Sequence, residues 1–276
     1  MHTESVVIRP KHKFAINLSE LFAYRELFFY FAWRDIKVRY KQTVIGASWV
    51  VLQPVAQMVI FTVFFNRVAG ITSGNQEVPY AIFSYSGLLF WNYFSNTITK
   101  ISNSMVDNQG VITKIYFPRL ILPFSSVIVG LLDFGFAFLV FIGLMIFFKF
   151  PPTVEAVLLL VPALLITILA ALGPGLFFAS LNVKYRDVRQ VVPFLVQVGL
   201  FITPVIYPVN AVPQQYQWIL YLNPMTGVIN MMRGSFLHTT PINWPLTFLS
   251  IAVAVVAFVL GLLYFRLTER EFADII

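Results

Sequence analysis

Charged side chains divide this chain into long uncharged runs. There are 25 residues between Lys41 and Arg67, 22 between Glu77 and Lys100, and 29 between Arg119 and Lys149 with Asp133 as the single charge. Three more follow: 28 between Glu155 and Lys184, 43 between Arg189 and Arg233, and 32 between Arg233 and Arg266. About 20 predominantly apolar residues cross a hydrocarbon core roughly 30 Å thick, so each run is long enough to span a bilayer. The 43-residue run has the length for two crossings, but it holds Pro193, Pro204, Pro208, Pro213 and Pro224, with the polar Gln214, Gln215, Tyr216 and Gln217 where a second crossing would begin. Proline removes an amide donor and interrupts helices. The pattern therefore predicts one crossing there, followed by broken short helices that enter the membrane and return to the same side. Such backbone is tolerated at membrane depth only under a cover of protein or water. The expected fold is an all-α integral membrane protein of six transmembrane helices, at about 47–66, 79–99, 120–148, 156–182, 191–207 and 244–265. Residues 1–46 form a cytoplasmic N-terminal region, 47–266 the membrane domain and 267–276 a cytoplasmic tail.

Lys and Arg set the orientation. The segments 1–46, 100–119, 184–189 and 266–276 hold 16 of the 19, against Arg67, Lys149 and Arg233 on the other side. That asymmetry places both termini in the cytoplasm. The first 40 residues contain no signal-peptide core, so the first span is expected to act as its own targeting signal. Within the N-terminal region Leu21, Tyr24, Phe28 and Phe31 share one helical face and Arg34, Lys37 and Lys41 another, which describes a helix lying in the cytoplasmic interface. A plain anchor with basic residues against anionic lipid is the alternative.

Composition narrows the chemistry. The chain is 58% hydrophobic, 17% aromatic and 11% charged, whereas a soluble domain carries roughly 25% charged residues, so a soluble enzyme is excluded. With no Cys and three scattered His, a metal site is not expected. The net charge of +7 sits at span ends, which makes it an orientation signal with no nucleic-acid partner implied. No Gly-Lys dipeptide occurs, so no phosphate-cradling loop exists, and H-E-x-x-H and G-x-S-x-G are absent too. No catalytic residue is expected, and energy must come from another chain. Asp133 is the one ionisable residue near the middle of a span. Its readings are a hydrogen bond within the bundle or direct contact with substrate or ion. Gly173-Pro174-Gly175 reads as a packing kink within a span.

The run Arg34-Asp35-Ile36-Lys37-Val38-Arg39-Tyr40-Lys41-Gln42-Thr43-Val44-Ile45-Gly46, followed by Trp49 and Leu52-Gln53-Pro54, resembles the entry to the first span of type-2 ABC export permeases for cell-surface polysaccharides. Trp91-Asn92-Tyr93-Phe94, Lys114-Ile115-Tyr116-Phe117-Pro118-Arg119, Asn182-Val183-Lys184-Tyr185-Arg186-Asp187-Val188 and Thr203-Pro204-Val205-Ile206-Tyr207 carry the same likeness, which runs from about residue 20 to 270. The resemblance implies a homodimer in the bacterial cytoplasmic (inner) membrane, paired with two ABC ATPase subunits and exporting a lipid-linked polysaccharide of O-antigen, capsule or teichoic acid type. ATP and Mg would bind on the ATPase, and no cofactor on this chain. An exporter of drugs or small lipids shares that architecture. A membrane-embedded lipid-sugar transferase is disfavoured because the cytoplasmic acids outside the terminal segments reduce to Asp107 and Asp187, each beside basic residues that can pair with it.

The resemblance also implies roles for particular residues. Arg34, Asp35, Lys37, Arg39, Tyr40 and Lys41 belong to the interface helix. A coupling helix contacting the ATPase falls near 108–117, with Asn108, Gln109, Lys114, Tyr116, Phe117 and Arg119. Short outer gate helices fall near 207–230, with Pro204, Tyr207, Pro208, Tyr216, Trp218 and Tyr221, whose rings are expected at the outer interface; a passive cap is the alternative. A path for a hydrophilic polymer calls for aromatic faces that stack on sugars. Phe61, Phe64, Phe65, Tyr85, Trp91, Tyr93 and Phe94 are the wall candidates, although such rings also serve as interface anchors and lipid-facing surface.

Overall fold

The computed structural model describes residues 22–41, 48–239, 241–269 and 272. The expectations on Leu21, on residues 1–20 and 42–46, and on most of the tail lie outside them. Among the described residues the fold is helical throughout, in the order α1 (Arg25–Lys41), α2 (Ser48–Phe61), α3 (Tyr80–Asp107), α4 (Gln109–Ile112), α5 (Ile121–Phe147), α6 (Val154–Lys184), α7 (Val188–Ile202), α8 (Gln217–Leu220), α9 (Pro224–Leu237) and α10 (Trp244–Thr268). A π-helical turn, Thr62–Val68, extends α2.

Among the described residues four helices are long and apolar enough to cross a membrane: Ser48–Val68, Ile121–Phe147, Val154–Lys184 and Trp244–Thr268. The fifth long helix, α3, has 28 residues, about 42 Å at 1.5 Å per residue, but Ser, Thr and Asn lower its hydropathy. Burial explains how it carries them, because α3 packs against α6, α5, α2, α9 and α7 at the centre of the bundle. Ser84, Ser86, Ser102 and Ser104 each donate to a carbonyl three residues back on α3, at 2.7 to 3.0 Å, so their hydroxyls cost little inside. Helix α7, at 15 residues, spans only about 22 Å. It ends at Ile202, immediately before Thr203-Pro204, shorter than the 191–207 crossing expected.

Helix boundaries follow local chemistry. Thr153 Oγ1 accepts from Ala156 N at 3.1 Å to open α6, and Asn223 and Asn243 accept from Met225 N and Leu246 N before the prolines that begin α9 and α10. Within α6, Gly173 of the Gly173-Pro174-Gly175 stretch allows a backbone contact with α10. A Cβ on Gly261 would lie 2.0 Å from the Gly173 carbonyl oxygen, so only glycine permits this approach.

Among the described residues three buried clusters organise the interior, the smallest being Ile101, Val127 and Leu172; the other two hold most of the bundle. The larger joins α3, α5, α6 and α9. The smaller brings Phe31 of α1, Phe117, Leu120, Leu176, Phe265 and Phe272 together, fastening the N-terminal helix to the bundle.

Candidate functional site

Helix α1 lies along α5. Tyr24, Leu27, Phe28 and Phe31 pack into the smaller cluster, with the Phe31 and Phe117 rings 5.7 Å apart. Phe22, Phe29, Tyr30 and Trp33 stay exposed, so α1 presents aromatic residues on a second face as well. Lys37 rests its ammonium over Trp33, and Lys41 is exposed.

The polar side of α1 builds an ion cluster with α3 and α5. Arg34 donates to Asp35 at 2.7 Å and to Asn108 Oδ1 at 2.8 Å. Arg39 donates to Asp133 Oδ2. Tyr40 donates to Asp133 Oδ1 at 2.7 Å, and Lys100 Nζ lies 3.8 Å from Asp133 Oδ2. Burial first, and the bond to Asp133 second, push the Tyr40 phenol up to about 12, so it remains a donor at any physiological pH. Of the two readings for Asp133, the geometry supports the internal bond, made to partners from two other helices.

Two cavities share Arg39 as a common wall. One, of 420 Å³, is lined by Arg34, Asp35, Lys100, Ser104, Asn108 and Ser126 among others. The other is a narrow 40 Å³ cleft between α2, α3 and α5 with Trp49, Gln53, Asn92, Tyr93, Asn96 and Asp133 on its walls. Above it, Asn92 donates to Gln57 at 2.9 Å. Amides and aromatic rings on one wall suit a polyhydroxylated chain, because they bond and stack without holding a charge.

Of the wall candidates, Tyr93 lines this cleft. Tyr85 is fully buried and donates to the Ala137 carbonyl at 2.9 Å. Trp91 is buried, close enough to α7 that a Cβ on Gly199 would lie 2.9 Å from its ring, and its ring lies 5.3 Å from that of Phe94. Phe61 is buried with Phe65 edge-on to it, and Phe64 is exposed on the outside of α2. Lys100, Gln53, Asn92 and Asn96 were not among the site candidates that the sequence offered. Asn92, Asn96 and Lys100 recur every fourth residue, a polar stripe within a span that was legible there.

At the end of the bundle where α3 stops, α4 covers four residues, Gln109–Ile112, and the rest of 108–117 is turn and irregular chain. Gln109, Lys114 and Tyr116 are exposed, whereas Asn108 and Phe117 are buried. Arg119, placed by sequence with the coupling residues, instead donates to the Glu269 carbonyl and lies over the Phe272 ring, clamping the chain beyond α10. Asp107 pairs with Arg189 at 3.4 Å, which brings the exposed 184–189 turn to the same end.

At the opposite end, residues 203–223 are broken. Pro204 is buried, Tyr207 donates to the Ile202 carbonyl at 2.7 Å, and Pro208 packs on Gly74. Tyr216 and Trp218 are exposed, but Tyr221 is buried, accepting from Asn230 Nδ2 at 2.8 Å, because α9 folds back over it. Arg233, counted by sequence among outer-loop charges, is also buried, at 3% exposure. It lies on α9, whose return into the bundle presses it against α3 and residues 204–205.

Among known proteins, the chain is 30% identical to the O-antigen export system permease protein RfbA of Myxococcus xanthus, over 92% of this chain and 97% of that one. It is 26% identical to the RfbA protein of Klebsiella pneumoniae, over 96% and 99%. It is 24% identical to the polysialic acid transport protein KpsM of Escherichia coli, over 72% and 77%. Residues 26–237, which carry α1, the ion cluster, the cleft and the broken segment, match the ABC-2 type transporter family, and the protein belongs to that family.

Proposed function

We propose that the chain is the membrane-spanning permease subunit of an ATP-driven exporter that moves a lipid-linked cell-surface polysaccharide across the bacterial cytoplasmic membrane. The observation that carries this reading is the end-to-end similarity to O-antigen export permeases, joined to a cleft in which amides and aromatic rings stand beside the Arg39–Asp133 pair. Two ABC ATPase subunits supply the energy and bind ATP and Mg, and this chain supplies no catalytic group. Their docking surface is the exposed ridge of Gln109, Lys114 and Tyr116 beside the 184–189 turn. The cleft opens along α2, where Trp49, Gln53 and Phe64 are exposed, so a closed path requires a second wall. In this reading a second copy of the chain provides it.

The test is reconstitution of the chain with its ATPase in inverted vesicles, with lipid-linked polysaccharide supplied to the outward-facing cytoplasmic leaflet and ATP added outside. Sugar accumulation inside requires both proteins, and the chain alone hydrolyses no nucleotide. Transport of hydrophobic drugs or short lipids in place of polysaccharide would favour the drug or small-lipid reading and overturn this one.

Six crossings are proposed, with α3 and α7 added to the four apolar spans, cytoplasmic termini, and 203–223 forming an outer gate. Topology reporters fused at Gln76 and Gln214 are expected to read outside, and at Gln109 and Arg270 inside. An outside signal at Arg270 would refute the arrangement.

A further inference from the structure

Where α7 ends, the buried chain makes few bonds of its own. Val205 N reaches back to Thr203 O at 2.7 Å, and three consecutive carbonyls, those of Pro204, Val205 and Ile206, point into the bundle. All three find side-chain donors from other helices. Arg233 of α9 donates from Nη1 to Pro204 O at 2.5 Å and from Nη2 to Val205 O at 2.6 Å. Tyr80, the first residue of α3, donates to Ile206 O at 2.7 Å. The same guanidinium reaches Phe83 O at 3.1 Å and Ser86 Oγ at 3.4 Å on α3, and its Cζ lies 3.5 Å from the centre of the Phe83 ring.

The two sides depend on each other. Arginine keeps its charge in proteins, and a buried cation is tolerated only when its N–H groups are bonded. Among the described residues no carboxylate pairs with Arg233, so carbonyl dipoles and the Phe83 ring carry that task. In return, carbonyls that irregular backbone leaves open at membrane depth receive the donors they need. The planar fork suits two neighbouring carbonyls in a way that a lysine ammonium does not. Space for it comes from Gly87, where a Cβ would lie 2.7 Å from Arg233 Nη2 and 3.3 Å from Val205 Cα.

We infer that Arg233 is the positioning residue of the outer closure: with Tyr80 and Gly87 it locks 203–206 and α9 to α3 as one rigid base, and the moving part of the gate is confined to 207–220. This rests on the outer gate of the proposed exporter. Breaking the lock would strand a buried cation and three carbonyls together, whereas 207–220 carries no charged residue. Its Tyr216 and Trp218 are exposed, and within it form only two single turns and the four-residue α8, while Tyr221 just beyond is buried and bonded by Asn230 and Ser250.

The chain contains no cysteine, so single thiols report directly. In vesicles carrying the chain with its ATPase, Ile206→Cys is expected to resist a membrane-impermeant thiol reagent both without nucleotide and with ATP trapped, while Gln215→Cys is labelled and changes rate between the two states. Arg233→Lys should speed labelling of Ile206→Cys by about tenfold or more through local opening. Gly87→Ala should do the same, and the double variant should be no faster than either alone, since both act on one contact. Tyr80→Phe, which removes only the Ile206 bond, should give a smaller increase and serves where Arg233→Lys fails to assemble. Protection of Ile206→Cys that survives Gly87→Ala and Tyr80→Phe would overturn the lock, as would labelling of Ile206→Cys in step with Gln215→Cys in the unaltered chain. The protection measured without nucleotide needs no substrate. A chain that transports no polysaccharide yet keeps Ile206→Cys protected would therefore refute the exporter reading and leave the lock standing.

Discussion

Phe117→Ala is expected to destabilise the chain by about 3–5 kcal/mol, the usual cost of truncating a packed aromatic side chain, while its neighbour Tyr116→Ala shifts stability by less than about 0.5 kcal/mol. The sequence offers both as coupling residues, and their surroundings separate them. Phe117 is 4% exposed and sits with Phe31, Leu120 and Phe265 in the cluster that fastens α1 to the bundle. Tyr116 is 78% exposed on the ridge with Gln109 and Lys114. Thermal unfolding in detergent should therefore fall for the first variant only. Co-purification with the ATPase, and export, should fall for the second at unchanged unfolding temperature. A Tyr116→Ala chain that binds the ATPase and exports like the parent would remove this ridge from the coupling surface. A Phe117→Ala chain as stable as the parent would deny that the cluster holds α1.

The second large effect concerns Asp133. Asp133→Ala leaves the Arg39 and Lys100 cations facing each other without the carboxylate that lies between them, and Lys100 Nζ has no hydrogen-bond partner to fall back on. Removing one member of a buried ion pair costs about 3–5 kcal/mol. The Arg39 and Lys100 side chains are 33% and 32% exposed, so solvent screening reduces the expected loss to about 1–3 kcal/mol. Asp133→Asn keeps an acceptor for Tyr40 and should lose less. Combining Asp133→Ala with Arg39→Gln removes the excess charge and should recover about 1 kcal/mol or more relative to the sum of the single variants. Strict additivity would contradict the pairing. Full stability of Asp133→Asn together with lost export would instead favour direct contact between this carboxyl and the substrate.

Boundaries and breaks were legible because their causes are local. Transfer of about 20 side chains into hydrocarbon is a sum over one segment, so the third and fourth spans expected at 120–148 and 156–182 agree closely with Ile121–Phe147 and Val154–Lys184. Prolines and the glutamine run likewise announced the broken segment after α7, since proline acts on its own backbone. The helical face of Tyr24, Phe28 and Phe31 was readable from spacing, and it packs as a unit. The narrow cleft was half legible: Tyr93 was named, but the amide stripe of Asn92 and Asn96 was not, because amides within a span signal a path only once the helices facing them are known.

What the tertiary structure alone decided is which polar groups meet. Arg39 lies 94 residues from Asp133, and Arg233 lies 150 residues from Phe83 and 28 from Val205. Nothing in the local pattern distinguishes a charge at a loop from one carried inward on a returning helix, so Arg233 reads as an outer-loop cation until α9 is seen to press it against α3 and residues 204–205. The same holds for Tyr116 and Phe117, adjacent aromatics whose fates differ only through the neighbours that each one finds. Hydrophobicity is a property of a segment and survives in the sequence. Pairing of buried polar groups is a property of several segments at once, because a charge inside the membrane is stable only where distant parts of the chain supply its partners together.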